Sequence, residues 1–437
     1  MTRVRVAAMG ALLSAGCMSA LGVDFDARLR AEAALPTDLD AGAPRGPGVV
    51  TPSTDAGAQP TNDADASMPV RGDVALRTFA IGRSHQCAIG AGHALYCWGG
   101  GGLGVGDSIS TRVAPTRVDD VSDATHVFAT ERSTCSVDRK GALFCWGMPV
   151  VPVSEIATAQ TKYRPERRAG IRFAIGGAFS QSAHVGCSID DVGAAACWGD
   201  GTEGALGSLQ IPFDDRSVPV QQLTSGVTSI TGGSSFGCAT AGGLVFCWGF
   251  AQGGVLGRNI DGVDPMPTAV AFENNQQNDV VVAGAQYVCA LGRDHAVACW
   301  GVNRDHALGA LGDSLLAGKL INYLSRPVPI DAVRGRVQQL VSGDRHLCAL
   351  LETGTVACWG ANDIGQLGRG SVGASTSEIR EVPGLFDVDT IAAYQQRTCA
   401  RTKRGEVYCW GMAAKLDSAL HDQDTSSPVL VGTVPLP

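Results

Sequence analysis

From residue 73 onward the chain alternates short apolar runs with glycine and polar turn residues, always in the same order. One unit shows the pattern: Val337-Gln338-Gln339-Leu340-Val341, then Gly343, then Leu347-Cys348-Ala349-Leu350-Leu351, then Glu352-Thr353-Gly354, then Thr355-Val356-Ala357-Cys358-Trp359-Gly360. Apolar and β-branched runs of this length, bounded by turn residues, predict strands joined as hairpins. A fourth run follows a longer connection, as Pro327-Val328-Pro329-Ile330 does in the preceding unit. No unit sustains a 3.6-residue apolar period, so helices are not expected. The triplet Cys-Trp-Gly marks each unit and holds all seven tryptophans: Trp98, Trp146, Trp198, Trp248, Trp300, Trp359 and Trp410. They are spaced by 48, 52, 50, 52, 59 and 51 residues. Four short strands recurring at about this period predict an all-β fold, a seven-bladed β-propeller with four-stranded antiparallel blades.

Each triplet has a second cysteine nine or ten positions upstream, giving Cys87-Cys97, Cys135-Cys145, Cys187-Cys197, Cys238-Cys247, Cys289-Cys299, Cys348-Cys358 and Cys399-Cys409. Facing residues of an antiparallel pair lie about 4.5–5.5 Å apart at Cα. That overlaps the roughly 4.4–6.8 Å spanned by a disulfide. Facing cysteines ten positions apart need an odd-length loop, whereas Cys238 and Cys247 need an even one, and Ala241-Gly242-Gly243 lies there. The pairing survives the change of turn, so one disulfide per blade is expected. Adjacent strand residues point to opposite faces. Each tryptophan is therefore expected to fill the space between blades on the side away from its neighbouring cysteine.

The units resemble the repeat of the regulator of chromosome condensation family. That repeat runs roughly G-x-V-x-x-W-G-x-N-x-x-G-Q-L-G-x-G, followed by a proline-containing strand and an apolar strand ending in G-G-x-x-H. The best fit is Gly354-Thr355-Val356-Ala357-Cys358-Trp359-Gly360-Ala361-Asn362-Asp363-Ile364-Gly365-Gln366-Leu367-Gly368-Arg369-Gly370. Gly204-Ala205-Leu206-Gly207 and Gly254-Val255-Leu256-Gly257 echo its centre, and His85 and His346 echo its histidine. The resemblance covers 73–437 and implies a seven-bladed propeller that binds other proteins. Members do so in nucleotide exchange on a small GTPase and in inhibition of a secreted enzyme. The second and seventh units depart, with Met148-Pro149-Val150 and Met412-Ala413-Ala414 in place of G-x-L-G. The cysteine pairs are not part of the general pattern and point to an oxidising compartment, so exchange activity is not expected.

Residues 1–17 read as a secretory signal, with Arg3 and Arg5 before an apolar core and Ser14-Ala15-Gly16 before Cys17. Cys17 is the expected lipidation site of a bacterial lipoprotein. Residues 18–72 are rich in Ala, Asp, Pro, Gly and Thr, with Phe25 as their one aromatic. Such a segment buries too little to offset its ordering entropy and reads as a disordered tether to a propeller at 73–437. No further apolar stretch is long enough to span a bilayer. The expected location is the outer membrane or cell surface, otherwise the periplasm or the medium. A net charge of −8 gives no support to a nucleic-acid partner. The evenly distributed cysteines, with no C-x-x-C, match no zinc site. At the two ends, Thr78-Phe79-Ala80-Ile81 opens the first blade and Pro428-Val429-Leu430-Val431 completes the last. Whether an N-terminal strand also joins the last blade is left open.

Candidate chemistry is sparse. His85 and His346 stand two residues before the first cysteine of their units, where the others have Ser133, Val185, Phe236, Tyr287 and Arg397. They read as strand-end residues bonding a neighbouring loop. Asp119-Asp120, Asp190-Asp191 and Asp214-Asp215 are adjacent carboxylates, which point apart and make no facing acid/base pair. Gly100-Gly101-Gly102 reads as a turn. No catalytic residue, cofactor or metal ligand is expected. The connections after Trp-Gly vary most in length, and the longest, 148–170 and 302–325, hold the candidate interface residues Tyr163, Arg164, Arg167, Arg168, Arg304, His306 and Tyr323, since tyrosine and arginine anchor interfaces. The expected function is a monomeric, non-catalytic scaffold that binds an unidentified envelope or extracellular protein. The alternative is an exported enzyme or carbohydrate-binding propeller acting on polysaccharide.

Overall fold

A computed structural model describes residues 78–435 except 107–110, 149–160, 169–170, 172–173, 180–183, 210–215, 273–275, 310–314, 317–318, 321–322, 332, 334 and 417–421. Cys17 and the residues 1–17 and 18–72 read above as a signal and a linker lie outside the described residues. Seven four-stranded antiparallel sheets follow one another along the chain. Blade 1 is β1 (Phe79–Ile81), β2 (His85–Ile89), β3 (Leu95–Gly100) and β4 (Thr111–Arg117). Blade 2 is β5 (Ala124–Ala129), β6 (Ser133–Asp138), β7 (Leu143–Gly147) and β8 (Lys162–Arg167); blade 3 is β9 (Ala174–Phe179), β10 (Val185–Asp190), β11 (Ala195–Gly199) and β12 (Val218–Pro219). Blade 4 is β13 (Val227–Gly232), β14 (Phe236–Ala241), β15 (Leu244–Ala251) and β16 (Gly262–Ala269). Blade 5 is β17 (Asn278–Ala283), β18 (Tyr287–Gly292), β19 (Val297–Val302) and, after a small hairpin of β20 (Leu315–Leu316) and β21 (Lys319–Leu320), β22 (Tyr323–Pro329). Blade 6 is β23 (Val337–Ser342), β24 (His346–Leu351), β25 (Val356–Gly360) and β26 (Thr376–Glu381); blade 7 is β27 (Val388–Tyr394), β28 (Arg397–Thr402), β29 (Glu406–Leu416) and β30 (Asp422–Thr433). In every blade the first strand is innermost and the fourth is outermost.

The cysteines of each blade face one another across its second and third strands, in the nine-residue spacing as in the ten. All seven pairs are disulfides, with Cα atoms 4.0–4.2 Å apart. The tryptophans point the other way and are at most 2% exposed. Each apolar cluster joins the cysteines of one blade to the tryptophan of the next: Cys87 and Cys97 to Trp146, Cys187 and Cys197 to Trp248, Cys348 and Cys358 to Trp410, and Cys399 and Cys409 back to Trp98. The core is thus a closed series of disulfide–indole seams. A side chain as large as Trp dominates the area buried at each.

The Leu-Gly segment after the triplet has its own physical role. Trp248, Trp300, Trp359 and Trp410 each donate their indole N–H, at 2.9 Å, to a carbonyl of the preceding blade: Ala205, Val255, Ala307 and Gln366. Each carbonyl belongs to the residue before a fully buried leucine, Leu206, Leu256, Leu308 or Leu367. Blade 5 therefore has the segment too, disguised as His306-Ala307-Leu308-Gly309, with His306 at φ 58° in the place of glycine. The two departing blades meet the next tryptophan differently. In blade 2 the Arg168 guanidinium lies over the Trp198 ring at 4.3 Å, a cation–π contact. In blade 7 the Val431 carbonyl accepts from Trp98 Nε1 at 2.9 Å.

In six blades the glycine of the triplet sits just past a register shift between the third and fourth strands, paired with the fourth strand beyond it. Gly360 has φ 108°, and a Cβ there would lie 2.6 Å from the Arg345 carbonyl oxygen. That carbonyl already accepts from the Ala361 N–H at 2.9 Å, so it cannot retreat without losing a bond. Gly360→Ala is expected to destabilise the protein by about 1–3 kcal/mol, the usual size of a strained backbone position. Gly92→Ala, at φ 61° with nothing within 4 Å, should lose less. Urea unfolding of both variants checks this, and equal losses would show that the crowding is not felt.

Ring closure needs no exchanged strand among the described residues. β1 pairs with β2 inside blade 1, and β30 completes blade 7 beside β29. Side chains hold the joint. Arg397 donates to the carbonyls of Gly82 (3.4 Å), Arg83 (3.5 Å) and His85 (3.3 Å) and to Gln86 Oε1 (2.5 Å). Arg401 donates to the Ile89 carbonyl and to Thr78 Oγ1, at 3.2 and 3.3 Å.

Candidate functional site

Antiparallel blades sort their connections onto two faces. Turns between second and third strands emerge on one face, and there they are tight. Asp138 and Asp190 each accept two backbone N–H groups of their own turn through Oδ1, a local pattern that stabilises turns. Asp190-Asp191 is therefore turn chemistry. Asp119 and Asp120 pair with Arg117 and Arg164, at 3.1 and 2.7 Å. Asp214-Asp215 lies outside the described residues.

The opposite face carries the connections from first to second strands and the long ones from third to fourth. The β20–β21 hairpin is there, with Leu315 facing Leu320. So is the end of blade 7, where β29 and β30 stay paired as far as Leu416 and Asp422. Function in propellers concentrates on variable loops held by a rigid frame, and this is the face that has them.

The axial channel has a volume of about 480 Å³ and is lined by the inner strands. Its ionisable groups include His126, Asp389, Tyr394 and Arg401. Asp389 is held by Arg401 through two bonds, at 3.0 and 3.1 Å. Burial raises the Asp389 carboxyl above its ordinary range, and the Arg401 guanidinium only partly offsets this. The Gln339 side-chain amide pairs with both the N–H and the carbonyl of Ile391 at 2.9 Å. These groups fasten one blade to the next. Among the described residues no three His, Cys, Asp or Glu side chains converge as metal ligands, and no helix is long and apolar enough to cross a membrane.

His85 and His346 bond the neighbouring blade's second strand. Their Nε2 atoms lie 2.8 Å from Thr134 Oγ1 and 2.6 Å from Thr398 Oγ1. At the same position in blade 5, the Tyr287 hydroxyl donates to the His346 carbonyl at 2.6 Å. Burial lowers the His85 pKa to about 4 and that of His346 to about 3, with Arg397 and Arg345 respectively adding to the effect. Both are neutral in the folded protein at neutral pH. In the unfolded chain they titrate near 6.5, so below that pH the unfolded chain takes up protons that the native ring refuses. Stability is therefore fully present above pH 6.5 and falls as pH drops from 6.5 toward 4 for His85 and toward 3 for His346. His346→Gln is expected to flatten the fall in melting temperature over that window. An unchanged slope would assign the acid lability elsewhere.

The candidate interface residues do not gather into one surface. Tyr163, Arg164 and Arg167 are exposed, but they lie on β8, the outer strand of blade 2, and not in the loop before it. Tyr323 likewise opens the outer strand β22 and is 51% exposed. The proline-containing fourth strand is longer than its apolar core suggests, because an exposed edge strand needs few apolar residues. Arg168 is committed to Trp198. Arg304 is exposed, while His306 is partly buried within the Leu-Gly segment of blade 5. Sequence reasoning missed a charged group on the loop-bearing face, where Arg345 bonds Asp305 (3.2 Å) and Asp363 (2.5 Å), with Asp344 beside it. No spacing rule joins these residues, since they come from two blades and three connections.

Comparison with known proteins agrees with this architecture. Residues 337–366 match the Regulator of chromosome condensation (RCC1) repeat. Protein pim1 of Schizosaccharomyces pombe is 27% identical over 281 residues, 57% of this chain and 49% of its own length. The ultraviolet-B receptor UVR8 of Arabidopsis thaliana is 32% identical over 190 residues, 42% of this chain and 41% of the receptor. The chain thus spans half or less of the length of the curated relatives it matches. Prp20p of Saccharomyces cerevisiae has a similar fold, with a TM-score of 0.63 at 18% identity over 74% of this chain and 81% of that one. Human WBSCR16 follows at 0.62 and 15% identity, over 74% and 85%. The repeat match thus lies on blade 6, and the described residues as a whole form a seven-bladed propeller with a disulfide in each blade, similar in fold to Prp20p.

Proposed function

We propose that the chain is a non-catalytic scaffold that binds another protein through its loop-bearing face. The observation that supports this most directly is the distribution of the long connections. They all emerge on one face, above a channel whose Asp389, Arg401 and Gln339 are engaged in holding the ring together. The similarly folded Prp20p is described as binding Gsp1p and histones, and also as bound by Kap60, which gives precedent for protein partners on this fold. The buried disulfides suit an exported protein, since such bonds persist in oxidising compartments. Our reading therefore places it at the bacterial envelope, tethered by a lipid on Cys17 and the 18–72 linker. The test is capture from envelope fractions with the oxidised chain, beside a reduced sample. A defined partner retained by the oxidised ring alone supports the reading. If no protein is retained across several growth conditions while a glycan array gives a ligand, the scaffold reading fails in favour of carbohydrate binding.

A further inference from the structure

In five blades a leucine packs with the disulfide. The apolar clusters of blades 1, 3, 4, 5 and 6 each hold both cysteines of the blade together with Leu103, Leu206, Leu256, Leu308 or Leu367. Each of these leucines comes from the Leu-Gly segment after the triplet. Blade 7 lacks the segment, yet Cys399 and Cys409 share a cluster with Trp98 and Val434 and are fully buried.

Blade 2 is the exception among the described residues. Its cluster joins Cys135 to Phe128, Leu143, Ile171 and Trp198, with no residue of a Leu-Gly segment. Cys145 packs against this cluster but is only partly buried, and it is the one disulfide cysteine in that state. Its backbone is paired on both sides, with Cys135 of β6 and Glu166 of β8. A strand with neighbours on both edges presents its side chains to solvent, so the exposed part of Cys145 is its Cβ and sulfur. The Arg168 guanidinium over Trp198, at 4.3 Å, brings a positive charge to the same seam. A cation near a sulfur favours its thiolate form. Lys162 and Glu166, on the strand beside Cys145, offset each other at 3.2 Å.

We infer that the Cys135–Cys145 disulfide is a thiol-exchange site, opened by a small-molecule thiol while the propeller stays folded. The thiolate attacks the Cys145 Sγ and forms a new sulfur–sulfur bond there. The Cys135–Cys145 bond breaks, and its electron pair leaves on the Cys135 Sγ, which takes up a proton. The products are a mixed disulfide on Cys145 and a thiol on Cys135, the ordinary intermediate of exchange. Attack of the Cys135 thiolate on the Cys145 Sγ expels the small thiol and restores the bond. The other six disulfides stay closed and hold the ring meanwhile. Blade 2 thus carries a covalent bond that responds to the thiol level around the protein, whatever the ring binds.

The probe is reduced glutathione, added to the oxidised full chain at about pH 8, close to the thiol pKa. Free thiols are trapped with N-ethylmaleimide, and the peptides are mapped by mass spectrometry. The expected product has glutathione on Cys145 and maleimide on Cys135. Maleimide on both cysteines, where a second glutathione has completed the reduction, counts toward the same rate. That rate should exceed the rate at every other pair by at least about tenfold, because no opening of the fold precedes the attack. Mild urea separates the two routes: the rate at Cys135–Cys145 should stay level while the rates at the other pairs climb. A single rate for all seven pairs overturns the inference, as does a Cys135–Cys145 rate that climbs with urea as steeply as the rest. Glutathione on Cys135 and not on Cys145, or no reaction without urea, overturns it too.

Discussion

Reduction of the seven disulfides unfolds the propeller. Each bond closes a hairpin of nine or ten positions, and loop-closure entropy assigns a loop of that size about 2–3 kcal/mol. Summed over the ring, this exceeds the roughly 5–15 kcal/mol by which a whole domain is commonly stable. The bonds also have a packing role, since each pair is one wall of the seam that receives the next blade's tryptophan. Separate thiols in place of a disulfide need more room in that wall. The fourteen disulfide cysteines are buried except Cys145, which is partly buried, so at the other six pairs a reductant waits for a blade to open. Under native conditions dithiothreitol should act slowly, and in mild urea it should collapse the fold in one cooperative step. Tryptophan fluorescence follows the collapse, and mass spectrometry confirms two hydrogens gained per bond. A fully reduced chain that keeps its native fluorescence would show that the disulfides are accessory to a core that stands without them.

Arg397→Ala is expected to destabilise the ring by about 3–5 kcal/mol. The residue is 1% exposed and is among the largest fully buried side chains. It supplies hydrogen bonds from blade 7 to three carbonyls and the Gln86 amide oxygen of blade 1. Each buried acceptor left without a donor costs about 1–3 kcal/mol, and cavity formation adds to that. The position is sensitive because, among the described residues, the joint has no strand borrowed from the other end of the chain. Lysine cannot substitute, since one ammonium does not present the spread of donors that a guanidinium does. Arg397→Lys should therefore recover little, whereas Arg404→Ala, at an exposed turn, should stay within about 0.5 kcal/mol of the wild type. Hydrogen exchange is the sharper readout: faster exchange confined to blades 1 and 7 locates the opening at the joint. Uniform acceleration around the ring would mean that Arg397 is one packing residue among many.

Much of this architecture is legible along the chain, because the repeat states its own geometry. The seven triplets count the blades. The shortened Cys238–Cys247 spacing, which keeps its pairing through a different turn, shows that contact and not spacing is preserved. Alternation along a strand separates Cys from Trp, and the structure puts them on opposite faces of each blade. The Leu-Gly segment is visible as a motif, but its purpose is not. Its carbonyl is aimed at a tryptophan about 45 residues further on, and a local pattern carries no direction in space. The same limit hid the segment in blade 5, where His306 adopts the left-handed backbone that glycine adopts elsewhere.

The sequence by itself determined the strand pattern, the number of blades, the disulfide partners and the residue type that fills each seam, because these follow from periodicity and from chemistry within one hairpin. Tertiary structure alone decided how the ring closes, what replaces Leu-Gly in blades 2 and 7, and which charges are left without a partner. Arg168 looks like a surface arginine until Trp198 is placed beneath it. Asp344 looks like one aspartate among many until Arg345 is seen to turn toward Asp305 and Asp363. Both outcomes depend on side chains from different blades meeting in space. That meeting is set by the closure of the ring and by the desolvation it imposes, neither of which a single repeat contains.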